Sequence, residues 1–190
     1  MTKLLFLAGS ARKTSLNKRL AQCAMNLAQS KGAEVTFLDL AHYDMPLYCQ
    51  DIEQEHGIPG NVIAVKKLFQ DHDGIFIASP EFNSSLTPLL KNTLDWISRA
   101  HEDGEPRLSA YTGKTFALGA LSPGALGGIR GLTPLRMMLG TLGCHIIPTQ
   151  IAVGGQNTLN DENNLTNDVH IKMMDALVNE LIHVTNALHA

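Results

Sequence analysis

The residues best suited to chemistry stand near the start of the chain, where Gly9-Ser10-Ala11-Arg12-Lys13-Thr14-Ser15-Leu16-Asn17 follows the apolar run Lys3-Leu4-Leu5-Phe6-Leu7-Ala8. A buried strand that ends in a small, hydroxyl-rich loop and then feeds a helix makes an anion pocket. Backbone N–H groups, the hydroxyls of Ser10, Thr14 and Ser15, the Arg12 charge and the positive end of the helix dipole all favour negative charge there. Two familiar phosphate loops are excluded by spelling. A P-loop needs a second glycine directly before its Lys-Ser/Thr pair, and the dinucleotide fingerprint needs three glycines, whereas Ser10 to Asn17 contains none. What remains is a loop that holds one terminal phosphate mainly by side-chain hydroxyls. The competing reading is a simple capped turn with Thr14 or Ser15 as N-cap.

A second group follows the apolar run Gly74-Ile75-Phe76-Ile77-Ala78, reading Ser79-Pro80-Glu81-Phe82-Asn83-Ser84-Ser85. Pro80 stiffens a turn there, and Asn83 and Ser84 satisfy polar atoms locally. Read alone, Glu81 is a solvated loop carboxylate and Asn83 an ordinary Asx turn. A third group, Ser122-Pro123-Gly124-Ala125-Leu126-Gly127-Gly128 with Arg130, follows another apolar run. Its glycines suit either a flexible crossover loop or the close approach of a flat ring, and the direction of Arg130 is open.

These loops need elements to place them, and strand and helix signals alternate along the chain. Leu16, Leu20, Ala24, Leu27 and Ala28 share a helical face that Gly32 closes. Residues 34–39 read as a second strand and 74–79 as a third, buried on both faces. Thr87-Pro88 opens a helix through Leu90, Leu94 and Ile97. Residues 114–121 and 144–150 are the fourth and fifth strands. A short helix follows residue 61, another runs through Leu135, Met138, Leu139 and Leu142, and a last one through Val169, Met173, Leu177, Leu181, Val184 and Leu188. Pro134 predicts a turn or kink with Thr133 as the true cap. Residues 41–60 form a long connection in which Tyr43, Met45, Pro46, Leu47 and Tyr48 make an apolar cluster: a subunit interface, a site rim or a local cover for the sheet edge. Five strands alternating with five helices predict one α/β domain over 1–190, a three-layer doubly wound sandwich of flavodoxin-like type. Its strand order should be 2-1-3-4-5, with the switch point between the first and third strands.

Composition narrows the function further. The 190 residues carry a formal net charge of −3, 44% hydrophobic and 17% charged residues, which gives no general attraction to nucleic acid or acidic membranes. No apolar run is long enough for a bilayer span, and Met1-Thr2-Lys3 leads directly into a strand, so the chain reads as cytoplasmic without a signal peptide. Cys23, Cys49 and Cys144 lack paired spacing and suit free thiols. The eight histidines are scattered without ligand spacing, so no metal is expected. No nucleophile–base pair or carboxylate dyad is spelled anywhere, and no catalytic side chain is assigned.

Residues 79–99 contain Pro80-Glu81-Phe82-Asn83, then Leu90-Lys91-Asn92 and Asp95-Trp96. With Gly9-Ser10-x-Arg12 followed by Ser15 and Asn17, and with the glycine segment after Ser122, this chain resembles the NADPH-dependent FMN reductase family. The resemblance implies a flavodoxin fold, non-covalent FMN, NAD(P)H as co-substrate, and a homodimer or homotetramer. It also implies a small acceptor: a quinone, free flavin, an azo compound or a metal oxyanion such as chromate. Carried over, Ser10, Arg12, Ser15 and Asn17 would hold the FMN phosphate. Pro80, Glu81, Phe82 and Asn83 would line the ring and ribityl chain, largely through backbone groups, and Ser122 and Gly124 would close the far side. Phe82 stands where the family usually has tyrosine, so any hydrogen bond from that hydroxyl is missing. Lys91, Asn92, Asp95 and Trp96 are expected to pack, cap or form an interface instead of touching flavin. A cofactor of this kind carries the reaction while the protein positions it. Two substrates sharing one face would give ping-pong kinetics. The alternatives are a flavodoxin-type electron carrier docking to a protein partner, and a colourless hydrolase or nucleotide-binding domain using the same loop.

Overall fold

The computed structural model describes residues 2–189. Strands β1 (Lys3–Ala8), β2 (Glu34–Leu38), β3 (Gly74–Ala78), β4 (Thr115–Ser122) and β5 (His145–Gly154) lie parallel in the order β2-β1-β3-β4-β5. They alternate with α1 (Leu16–Ser30), α2 (Gln50–His56), α3 (Gly60–Asp71), α4 (Pro88–Ile97), α5 (Ile129–Thr141) and α6 (Asp168–Leu188). This is the expected flavodoxin-like sandwich with the expected strand order. The chain reverses direction across the sheet between β1 and β3.

Side-chain alternation sorts each strand between two cores. Leu4, Phe6, Phe76 and Ala78 face α1 and α6, while Leu5, Leu7, Ile75 and Ile77 face α3, α4 and α5. A strand covered on both faces has no polar side to show, so these segments are continuous apolar runs. α1 packs small residues, Ala21, Ala24 and Ala28, against the sheet, which lets its axis lie close.

Four details differ from expectation, each for a local reason. The 41–60 connection contains a sixth helix, α2, which buries no residue of its own and so leaves no apolar stripe to read. α5 begins at Ile129, with Gly128 as cap and Pro134 inside it, instead of starting at Thr133. Its cap comes from a distant loop, described below. α6 buries Met174, Leu177, Val178, Leu181 and Thr185, whereas Val169, Met173 and Leu188 are exposed, so the packed stripe is rotated from the one expected. β5 runs on to Gly154, and its pairing with β4 shifts register between Phe116 and Leu118, close to exposed Pro148. A proline is tolerated there because β5 is an edge strand with one unpaired side.

The second half of the Leu-Lys-Asn-x-x-Asp-Trp pattern has a structural job. Asn92 accepts from the Tyr48 N–H (2.8 Å) and donates to the Pro46 carbonyl (2.9 Å), to which Trp96 Nε1 also donates (2.7 Å). Tyr43, Met45 and Tyr48 pack onto the core while Leu47 stands 79% exposed at the tip of this pinned segment. α2 is tied down by Glu53, which accepts from both Arg99 and the Tyr48 hydroxyl.

At the opposite end of the sheet from the strand exits, Lys66 of α3 and Glu105 form a buried ion pair, with Ser109 and the His101 N–H also donating to the carboxylate. Burial works to raise the Glu105 pKa. The Lys66 ammonium and these donors outweigh it and hold the carboxyl at about 2. Removing one partner strands the other charge in the interior, which costs about 3 kcal/mol or more. Glu105→Ala should therefore lower the thermal midpoint by several degrees. A depressed carboxyl contributes stability that is complete above its unfolded value and is lost as pH falls toward 2. Urea titrations should accordingly show wild type losing part of its advantage over Glu105→Ala between pH 4.5 and 2, and a constant difference would disprove the pairing.

Candidate functional site

Parallel register decides where the three loops emerge. Ala8 is level with Ala78, and Ala78 with Gly119, so β1 and β3 end side by side while β4 runs on past them to Ser122. The backbone stitches their exits together, with Gly9 N–H donating to the Ala78 carbonyl (2.9 Å) and Ser79 N–H to the Gly119 carbonyl (2.8 Å). Thr87 adds a cross-link that the sequence did not reveal. Its hydroxyl caps α4 by accepting from the Leu90 N–H and donates to the Gly9 carbonyl (2.7 Å). The Thr-Pro signal announced the cap, but nothing local announced the second bond. A Cβ at Gly9 would lie 3.0 Å from Leu90 Cβ and 3.1 Å from the Thr87 hydroxyl, so a side chain there would press the two loops apart.

In the first loop, Ser15 is the N-cap of α1, its oxygen accepting from the Lys18 N–H, which leaves its O–H free to donate. Ser10 accepts from the Arg12 N–H, and Arg12 Nε donates to the Thr14 hydroxyl (3.1 Å). The capping and anion-pocket readings therefore coexist. Asn17 has a partner that its sequence position did not announce. It is buried, and its amide donates one N–H to the Leu121 carbonyl and accepts from the Leu121 N–H, both at 2.9 Å. That side chain splices α1 to the end of β4 and keeps its second N–H for another acceptor.

The second loop is a two-residue hairpin. Phe82 and Ser85 exchange both backbone hydrogen bonds, with Asn83 (φ 50°) and Ser84 (φ 64°) both left-handed between them. Two successive positive φ values define the type I′ turn, and asparagine enters that region readily. The hairpin holds Phe82 out, 55% exposed. Glu81 is not a solvated carboxylate: its side chain is only 9% exposed and lies against the start of α5.

The third loop folds over the end of β5. A Cβ on Gly127 would meet the Val153–Gly154 backbone at 2.6–2.8 Å, which together with φ +61° excludes any side chain. Ser122 accepts from the Gly124 N–H (3.2 Å). Glu81, Ser122, Gly124, Ala125, Leu126, Gly128 and Arg130 together line a cleft of about 350 Å³, within the range of small-molecule sites. A groove of about 320 Å³ between α1 and α6, lined by Cys23, Leu27, Ile171 and Met174 among others, carries no charged side chain. It lies away from the strand exits.

Residues 2–158 match the model of the family described as NADPH-dependent FMN reductase. The chain belongs to that family. It is 32% identical over 149 residues to a quinone reductase of Escherichia coli (strain K12), covering 78% of this chain and 75% of that one. It is 37% identical over 125 residues to a 2-hydroxy-1,4-benzoquinone reductase of a Burkholderia species, covering 66% and 63%. Among solved structures, the flavoenzyme NAD(P)H:acceptor oxidoreductase FerB of Paracoccus denitrificans superposes with a TM-score of 0.83 over 98% of both chains at 23% identity, a likeness of fold. Membership makes this chain an oxidoreductase with FMN as cofactor and NAD(P)H as co-substrate.

The residues present suit that cofactor. The N–H groups of Ala11, Lys13 and Thr14 meet no protein acceptor among the described residues, and they sit beside the Arg12 and Lys13 charges at the α1 N-terminus. Gly124 has open space where a Cβ would stand, with only the Ser122 hydroxyl near, at 3.5 Å. No helix among the described residues is long and apolar enough to cross a membrane.

The Asn17 splice makes a direct prediction. Asn17→Leu leaves two buried backbone groups of Leu121 unpaired, at about 1–3 kcal/mol each. Urea unfolding of the FMN-free protein should show that loss, and an unchanged midpoint would remove the splice from the list of forces holding the cleft.

Proposed function

We propose that this protein binds FMN non-covalently at the exits of β1, β3 and β4 and catalyses two-electron reduction of a small acceptor, a quinone first among them, at the expense of NAD(P)H. The observation that carries this reading is the emergence of three loops from adjacent strands around the β1/β3 switch point, where α/β sheets bind ligands, the second and third of them lining one cleft. In it, Ser10, Arg12 and Ser15 hold the phosphate with the free N–H groups of the loop, and Asn17 contributes by fixing the start of α1. Pro80, Glu81, Phe82 and Asn83 offer backbone groups and an apolar edge to the ring, while Ser122 and Gly124 close its other side. When bound, FMN supplies the chemistry, accepting a hydride from the nicotinamide and passing two electrons to the acceptor.

The protein's own contribution is placement. The strand-anchored loops fix where a flat ring can lie, and Leu126 (56% exposed) gives the cleft an apolar side for the second substrate, with exposed Phe82 following Glu81 on the hairpin. One open cleft serves both substrates, which supports alternating occupancy and ping-pong kinetics. The quinone reductase names of the E. coli and Burkholderia relatives support the acceptor class. Exposed Leu47, on its pinned segment, is a suitable anchor for pairing two copies into a homodimer or homotetramer.

A flavodoxin-type carrier would share the site but react slowly with reduced nicotinamide. Anaerobic mixing with NADPH should bleach the bound flavin within seconds, and initial rates against a benzoquinone should give parallel double-reciprocal lines. Slow bleaching would favour the carrier, and intersecting lines would reject a shared face. Arg12→Ala removes a charge-assisted contact of about 1.5–3 kcal/mol, so the FMN Kd should rise tenfold or more while circular dichroism stays unchanged. An unaltered Kd would take Arg12 out of the site.

A further inference from the structure

We infer that Glu81 is a positioning residue whose carboxylate clasps the N-terminus of α5 and so holds the β3 and β4 loops at a fixed separation on either side of the cleft. The inference rests on the reading of that cleft as the flavin site and adds a role for a side chain which that reading uses only through its backbone.

α5 starts without a cap of its own. Gly128 has no side chain and adopts φ +88°; the Ile129 N–H turns back to the Leu126 carbonyl and the Gly131 N–H to the Gly128 carbonyl, which leaves the Arg130 N–H without a backbone acceptor among the described residues. Glu81 supplies what is missing from across the cleft. Its Oε2 accepts from the N–H groups of Arg130 (3.1 Å) and Gly131 (3.4 Å), and its Oε1 takes Arg130 Nε (2.7 Å) and Nη2 (2.6 Å). A carboxylate at a helix N-terminus also meets the favourable end of the dipole. Glycine suits both positions beside it: a Cβ on Gly131 would crowd the Ser85 carbonyl at 3.0 Å, and one on Gly128 would crowd Ala120 Cβ at 3.0 Å, while either would meet Glu81 only at ordinary contact distance. The clasp explains why α5 begins five residues before Pro134.

Both partners line the cleft, Glu81 as the buried member and Arg130 as the 59% exposed one. Burial works to raise the Glu81 pKa, and the Arg130 guanidinium and backbone donors override it, so the carboxyl stays below its ordinary value. Arg130 is thereby neutralised as it faces the cleft, and its geometry is set by Glu81. Because the Glu81 backbone and the Gly124–Gly128 loop are walls of one site, loosening the clasp widens that site without removing any group that touches a ligand.

The test uses Glu81→Ala, Glu81→Gln and Arg130→Met in the full-length protein, with FMN binding by fluorescence quenching and hydrogen exchange of the FMN-free forms. Glu81→Ala should weaken FMN at least tenfold. Glu81→Gln, which keeps an acceptor for the backbone N–H groups, should recover part of that loss. In the FMN-free protein, the Arg130 amide of Glu81→Ala should exchange at least tenfold faster while α6 amides keep their rates, a pattern that general destabilisation does not give. Between pH 7 and 4, the ratio of FMN Kd in Arg130→Met to that in wild type should grow as pH falls. Without its guanidinium partner Glu81 protonates at a higher pH, and taking the ratio cancels titration of the FMN phosphate. Wild-type Kd and exchange rates in Glu81→Ala, a glutamine variant no better than alanine, or a pH-independent ratio would each overturn the assignment. If wild type binds no FMN, the cofactor reading fails, and the exchange experiment alone decides whether the clasp exists.

Discussion

Parallel pairing of β3 with β1 on one side and β4 on the other is the constraint on which the rest of the molecule depends. Register brings the exits of β1 and β3 level at one end of the sheet with β4 projecting past them, and the switch in winding between β1 and β3 keeps covering helices from filling the space above them. The strand exits are then tied to one another by bonds to a neighbour's backbone. Gly9 reaches Ala78, Ser79 reaches Gly119, Thr87 reaches Gly9, and Asn17 reaches Leu121. These bonds run between loops and not within them, so the rim has the rigidity of the sheet beneath it. Such rigidity is what a cofactor-dependent reaction asks of a protein that supplies placement and little else.

The sheet was legible in the sequence because burial on both faces leaves an unmistakable mark: Gly74 to Ala78 and Leu4 to Ala8 contain no charged or strongly polar side chain. The caps at Thr87 and Ser15 were legible for the same kind of reason, since the interaction spans three residues. What escaped were features whose cause lies far away in the chain. The start of α5 was misplaced because its cap is a carboxylate almost fifty residues upstream, and Pro134 then looked like a barrier where it is a tolerated interruption. α2 escaped because it buries nothing. Asn17 matched the family motif, but the motif could not say whether its amide faces an anion or the Leu121 backbone.

The motif around Asn92 and Trp96 shows how one conserved-looking stretch divides between tasks. Its first part, Pro80 to Asn83, builds a left-handed hairpin at the cleft, and its second part pins the Pro46–Tyr48 segment on the far side of α4. α4 therefore lies between that hairpin and the exposed Leu47 tip, its buried face packed with Leu90, Leu94, Trp96 and Ile97 at 1% exposure or less.

Pro148 has a meaning beyond its local irregularity. An open sheet must stop somewhere, and its last strand carries a row of unused donors and acceptors that invites another chain to extend it. By deleting one such donor and sitting beside the slip in pairing between β4 and β5, Pro148 spoils the template along that border. The molecule can thus keep a ten-residue strand at its boundary while offering less of the template that edge-to-edge stacking needs.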